Sequence, residues 1–191
     1  MGIWDALTGR TKPVRANLDA LFSLPSAAVT LQTSAAFMPT GVGSVCYRAA
    51  EGAAFAQATR DLVELLDNDD DPDVEQSTDS FGFSWLLARQ PPDDLAALVT
   101  DLHTVNTSLE AQGFGPALLC SLVSFTDAAG RSLALVYLYK RGTFYPFAPA
   151  GSGGRLRDNL LELQVRDLLT GEIAVEKDLT KWLALWGAPG L

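Results

Sequence analysis

The chain has 191 residues, of which 48% are hydrophobic and 19% charged, and its formal net charge is −9. That length suits one domain and lets folding bury roughly 70% of the unfolded surface, so the core needs neither metal nor disulfides. The acidic balance excludes a protein that coats nucleic acid, which needs a broad basic surface. Ordinary Gly and Pro content (16 and 10 residues) excludes collagen-like and wholly disordered chains.

The opening, Met1 to Lys12, places Ile3, Trp4 and Leu7 on one side of a short helix, followed by Arg10 and Lys12. Such a segment can lie in a membrane interface, apolar side chains down and basic groups toward anionic lipid, or pack on the domain as a terminal helix. Asp5 interrupts any secretory h-region, and the longest apolar run, Leu133 to Tyr139, is far short of a spanning helix. The expected location is the cytoplasm, at most peripheral to the inner face of the membrane.

Pro13 opens a helix to Leu24, with Val14, Leu18, Leu21 and Phe22 on its apolar face, and Pro25 stops it. Val29 and Leu31 then read as a strand. Phe37 to Gly43 is broken by Pro39, Gly41 and Gly43, and Ser44 to Ala49 is a second strand. Ala53 to Leu66 switches to helical period through Phe55, Leu62 and Leu66, and an acidic loop, Asp67 to Asp73, follows. Val74 to Ser77 and Phe81 to Arg89 form a hairpin in which Phe81, Phe83, Trp85 and Leu87 alternate onto one face.

Pro91-Pro92 ends that strand and Asp93-Asp94 favour a helix start. Leu95, Leu98, Val99, Leu102, Val105 and Leu109 keep helical spacing until Gly113 caps the helix. Leu118 to Phe125 and Ser132 to Tyr139 are two more strands, the second apolar on both faces and so covered on both sides. Thr143 to Pro149 reads as an edge segment, Gly151 to Gly154 as a break, and Leu156 to Leu169 as an amphipathic helix carrying Leu160, Leu161, Val165 and Leu168. Trp182 and Trp186 share one helical side near the end. Two helix–strand–strand units thus follow one another from Ala53 to Tyr139.

Catalytic motifs fail on composition. His103 is the only histidine, and no Cys-x-x-Cys, His-Glu-x-x-His or Gly-x-Ser-x-Gly is present, so no metal, cofactor or catalytic residue is assigned and the chain reads as a non-enzyme. Cys46 and Cys120 sit in apolar strands and read as reduced core thiols. Gly151 to Gly154 before Arg155 and Arg157 is a linker rather than a phosphate cradle, for want of a preceding strand and a spaced acid. Asp67, Asp69 and Asp71 lack the Gly and Glu of a calcium loop, having Pro72 and Thr78 at those places. Asn106, beside the apolar stripe, must have its amide paired and so fixes a loop or strand end. Around Lys140 and Arg141, the residues Tyr139, Phe144 and Tyr145 form either a partner-binding surface or core aromatics next to two cations at a strand end.

Specific residues carry a resemblance. They are Met1-Gly2-Ile3-Trp4-Asp5-Ala6-Leu7 with Gly9-Arg10, Leu18-Asp19-Ala20-Leu21-Phe22, Pro39 to Cys46, Leu118-Leu119-Cys120-Ser121, Lys140 to Pro149 and Trp186 to Leu191. Together they resemble the PspAB family, named for association with phage-shock protein A, over nearly the whole chain. The resemblance implies an accessory protein of envelope stress that binds a PspA-type partner, and no catalytic or ligand residue. From Ala53 to Tyr139 the pattern is also similar to the YbjN family, which has the fold of type III secretion chaperones and is often dimeric.

The expectation is therefore one α+β domain over residues 1–191, a mostly antiparallel sheet with packed helices and a YbjN-like core at 53–139. The alternating face of Phe81 and Trp85 and the Leu95-to-Leu109 stripe should meet in that core. The expected function is non-enzymatic protein binding, with Ile3, Trp4, Leu7, Tyr139, Lys140, Arg141, Phe144 and Tyr145 as candidate contacts. The alternatives are peripheral membrane binding through the N-terminal segment and an atypical small-ligand sensor or enzyme.

Overall fold

A computed structural model describes residues 16–48, 52–66, 74–151 and 155–191. The fold is α+β. Four helices, α1 (Leu24–Ala35), α2 (Ala53–Leu66), α3 (Leu95–Ala111) and α4 (Asn159–Leu169), accompany a six-stranded sheet. Its strands are β1 (Met38–Arg48), β2 (Val74–Thr78), β3 (Phe83–Arg89), β4 (Leu118–Thr126), β5 (Ser132–Leu138) and β6 (Thr143–Phe147), in the order β2-β3-β1-β4-β5-β6 with every neighbour antiparallel. A two-stranded ribbon, β7 (Pro149–Ala150) with β8 (Leu156–Arg157), leads into α4. The two helix–hairpin units are present, and β1 lies between their hairpins.

Residues between Pro25 and Leu31 form a helix, not the end of one and the start of a strand. Pro25 sits in the first turn of α1, where a missing N–H costs nothing. Leu24, Ala27, Ala28 and Leu31 are buried at intervals of three and four, while the β-branched Val29 that suggested a strand is exposed. Before it, the chain forms a short 3₁₀ turn, Leu18–Ser23.

β1 also starts earlier than Ser44. It tolerates Pro39 and two glycines because it is irregular between Pro39 and Gly43. Gly41 has φ +77°, and a Cβ there would lie 2.1 Å from the Gln90 carbonyl oxygen. Gly43 lets α3 close onto the sheet: a Cβ there would stand 3.0 Å from Leu102 Cδ1 and 3.1 Å from the Leu122 carbonyl oxygen.

α3 is built as its spacing requires. Asp94 Oδ1 accepts from the Ala97 amide at 3.0 Å, Gly113 adopts φ +87° just past the end, and all six stripe residues are buried. Asn106 Nδ2 donates to the Leu102 carbonyl at 2.7 Å and to Ser121 Oγ at 2.8 Å, which ties α3 to β4.

The sheet separates two apolar layers. On one face Val45, Tyr47, Leu86, Ala88, Val123, Leu133, Leu135 and Phe144 pack with residues from all four helices. On the other face Cys46, Trp85, Cys120, Leu122, Ala134, Val136, Tyr145 and Phe147 pack beneath Trp182 and Ala188. Alternation along each strand accounts for the division.

β5 is covered on both sides, as its doubly apolar sequence requires. Trp85, however, does not meet the α3 stripe; its neighbours Leu86 and Ala88 do, because a period of two sends Trp85 to the opposite face. Phe81 belongs to the turn before β3 and is exposed, while Asp79 gathers that turn by accepting from the amides of Phe81 and Phe83 and from Trp85 Nε1.

The end of the chain is not the helix that Trp182 and Trp186 suggest. One 3₁₀ turn, Leu179–Lys181, capped by Asp178, gives way to an irregular strap with two turns that runs to Leu191. Both tryptophans still face the sheet: Trp182 stacks on Tyr145 at 5.9 Å and Trp186 meets Phe147 edge-on at 5.1 Å. Gly187 and Pro189 remove the helical option. The N-terminal segment with Ile3, Trp4 and Leu7, and the acidic loop after Leu66, lie outside the described residues.

Candidate functional site

The aromatic stretch around Lys140 and Arg141 divides between core and surface. Tyr139 and Phe144 are buried in the helix-side layer and Tyr145 in the strap-side layer. Their exposed neighbours are Lys140 and Arg141, in the turn between β5 and β6. Arg141 is engaged. Its Nε pairs with Glu176 Oε2 and its Nη2 lies 3.0 Å from Oε1, while Thr143 Oγ1 donates to Oε2 at 2.7 Å and the Asp178 amide to Oε1 at 2.8 Å. The main chain on either side of Val175 pairs with β6: the Phe144 amide donates to the Ala174 carbonyl and the Glu176 amide to the Phe144 carbonyl. Arg141 thus fastens the start of the strap to the sheet edge.

That fastening sets a pH dependence. The Arg141 guanidinium and the Thr143 hydroxyl hold the Glu176 carboxyl down at about 2, against an ordinary value of 4.5. A carboxylate depressed in the folded state contributes stability that is complete above its unfolded pKa and is lost as pH falls through its folded one. Acid should therefore loosen the strap between about pH 4.5 and pH 2. Glu176→Gln should flatten that part of the stability–pH curve, as read by Trp fluorescence.

Beyond Glu176 the strap meets α4, and there the surface turns apolar. Leu156, Leu160, Leu179 and Leu183 are 67, 68, 52 and 61% exposed. The segments that carry them wall a narrow groove of about 160 Å³ lined by Arg157, Asn159, Glu162, Leu163, Leu179 and Trp182. Its floor is rigid. Arg157 Nε pairs with Glu162 Oε1 at 2.9 Å, Arg157 Nη1 donates to the Trp182 carbonyl at 2.6 Å, and the guanidinium lies 5.2 Å from the Phe147 ring centre. Glu162 Oε1 also accepts the Ala148 amide at 2.9 Å. Arg155, Lys177 and Lys181 stand exposed on the same segments.

The chain matches a known family. The family described as PspA associated protein B covers residues 1–190. The chain is a member of that family. No curated protein and no solved structure matches it. The strap and the groove both fall inside the family match, so they are features of a family member's own fold rather than of an appended tail.

The remaining sequence candidates have structural positions. His103 Nε2 lies 3.6 Å from the exposed Asp19 carboxylate, with its ring 4.9 Å from Phe22. Cys46 and Cys120 are free and buried. Among the described residues no cluster of three His, Cys, Asp or Glu side chains is spaced to hold a metal, and no helix is long and apolar enough to cross a membrane. The sequence places Leu160 on the apolar side of a helix from Leu156 to Leu169, but α4 begins at Asn159, Leu156 belongs to β8 and Leu160 is exposed; Leu179 and Leu183 lie in a segment without period. The available signal was Leu160 and Leu163 falling off the Leu161, Val165, Leu169 face.

Proposed function

We propose that the chain is a non-enzymatic accessory protein that binds a PspA-type envelope-stress protein through the leucine surface of α4 and the strap. The observation that carries this reading is a pre-formed groove lined by the exposed Leu179, with Leu156, Leu160 and Leu183 exposed on the segments that wall it, in a member of a family named for association with PspA. Burying an exposed leucine is worth roughly 1.5–3 kcal/mol before the costs of association, so a few such anchors can sustain a specific complex. At the groove the Arg157 and Glu162 side chains are engaged with each other and with the backbone, which supports a binding role over turnover.

The test is capture of a PspA-type protein from the same source by the tagged full chain. Leu160→Asp with Leu183→Asp alters only exposed side chains and so should leave the fold intact. It should weaken capture by roughly tenfold or more, the equivalent of about 1.4 kcal/mol. Undiminished capture by a folded double variant contradicts the proposal.

A further inference from the structure

We infer that Cys46 and Cys120 form a covalent modification site, a reversible cross-strand disulfide made by a peroxide-class oxidant when the strap lifts. The two residues are direct partners in the antiparallel register of β1 and β4, at the centre of the six-stranded sheet. They also share a face, since both belong to the layer under Trp182 and Ala188. Directly opposite antiparallel residues have Cα atoms about 4.5–5.5 Å apart, inside the roughly 4.4–6.8 Å span that a disulfide bridges. The ladder is irregular immediately beyond the pair, between Cys46 and Tyr47, where β4 shifts from Cys120 to Leu118. A bulge there gives the strands local freedom to close on a shorter side-chain contact.

Access is controlled by the strap. Cys46 is 3% and Cys120 6% exposed, with Trp85 facing Cys46 from β3 and Leu138 facing Cys120 from β5. The Cys120 side chain beside it and burial both push the Cys46 thiol above its ordinary range, which disfavours the reactive thiolate while the layer is closed. Between Trp182 and Leu191 the strap has no regular structure. Its side-chain ties to the sheet include Tyr145 OH donating to the Leu183 carbonyl at 2.9 Å and Ser44 Oγ reaching the Pro189 carbonyl at 3.4 Å. A segment held this way opens locally at less cost than the sheet beneath it.

The chemistry balances. One sulfur attacks the O–O bond of the peroxide, forming S–OH, and its proton leaves with the departing oxygen as water. The second sulfur then displaces hydroxide from the first, and that hydroxide takes the second thiol proton as another water. Two thiols lose two electrons and two protons, and hydrogen peroxide becomes two waters.

The experiment treats the full chain with hydrogen peroxide, quenches, denatures, alkylates with iodoacetamide and reads intact mass and linked peptides. The expected product is a monomer lighter by two hydrogens, with both thiols closed to alkylation and a Cys46–Cys120 peptide that dithiothreitol splits. Trp186→Ala, which removes the edge-on contact with Phe147, should accelerate the reaction roughly two- to tenfold, the equivalent of one aromatic pair. The wild-type mass shift does not depend on that variant folding. Two alkylatable thiols after treatment, oxygen adducts in place of a link, or disulfide dimers would each overturn the site. An unchanged rate in folded Trp186→Ala would overturn control by the strap.

Discussion

Gly43→Val should lower the free energy of unfolding by about 2–3 kcal/mol, because it forces side-chain volume into the contact between α3 and the middle of the sheet. The new Cβ alone would stand 3.0 Å from Leu102 Cδ1 and 3.1 Å from the Leu122 carbonyl oxygen, and the two methyls of valine extend further. Leu102 can rotate at a cost, but the carbonyl is backbone in β4 and cannot. Leu102→Ala should itself cost roughly 2–5 kcal/mol as a cavity in a fully packed layer. Combined, the two substitutions should destabilise by less than their sum, since alanine at 102 vacates part of the space valine needs. A coupling of about 0.5 kcal/mol or more in urea melts would register that. Simple additivity would show that the helix does not rest on Gly43.

The second large effect belongs to the strap. Trp182 stacks on Tyr145, donates Nε1 to the Glu176 carbonyl at 3.0 Å and forms one wall of the leucine groove. Trp182→Ala should cost roughly 3 kcal/mol, the range for truncating a buried tryptophan. Its signature differs from that of Leu102→Ala. Hydrogen exchange should rise first in residues 178–191, while the amides of β4 and β5 keep their protection, because the strap can detach without opening the sheet. Trp182→Ala should also weaken partner capture even where the sheet remains folded. A uniform rise across the sheet would mean that strap and sheet open together.

Much of this fold is legible in the sequence where one physical signal acts alone. α3 shows its stripe, its Asp94 cap and its Gly113 end, and β5 shows its two apolar faces. Misreadings arise where two signals compete. Proline breaks helices, which makes Pro25 look like a stop, yet in a first turn it starts one, and the buried spacing of Leu24, Ala27, Ala28 and Leu31 outweighs the β-branched Val29 and Thr30.

The meeting of Trp85 with α3 fails for a topological reason. Alternation shows that Trp85 shares a face with Phe83 and Leu87 but not which face the helices take. That choice depends on a strap more than ninety positions away in the chain. Tyr139, Phe144 and Tyr145 are resolved the same way: an aromatic beside a cation suits an interface and a core equally, and only the closure of β6 against Val175 and the strap selects the core. The leucine surface has no period to announce it, because it is assembled from β8, the start of α4 and an irregular segment about twenty residues later.

The most direct measurement of the central claim is hydrogen–deuterium exchange on the full chain with and without a PspA-type protein at saturating concentration. The account predicts slowed exchange confined mainly to residues 156–163 and 179–185, the two segments that carry the exposed leucines. Protection at other surfaces, with these two segments unchanged while the complex is demonstrably formed, would contradict it.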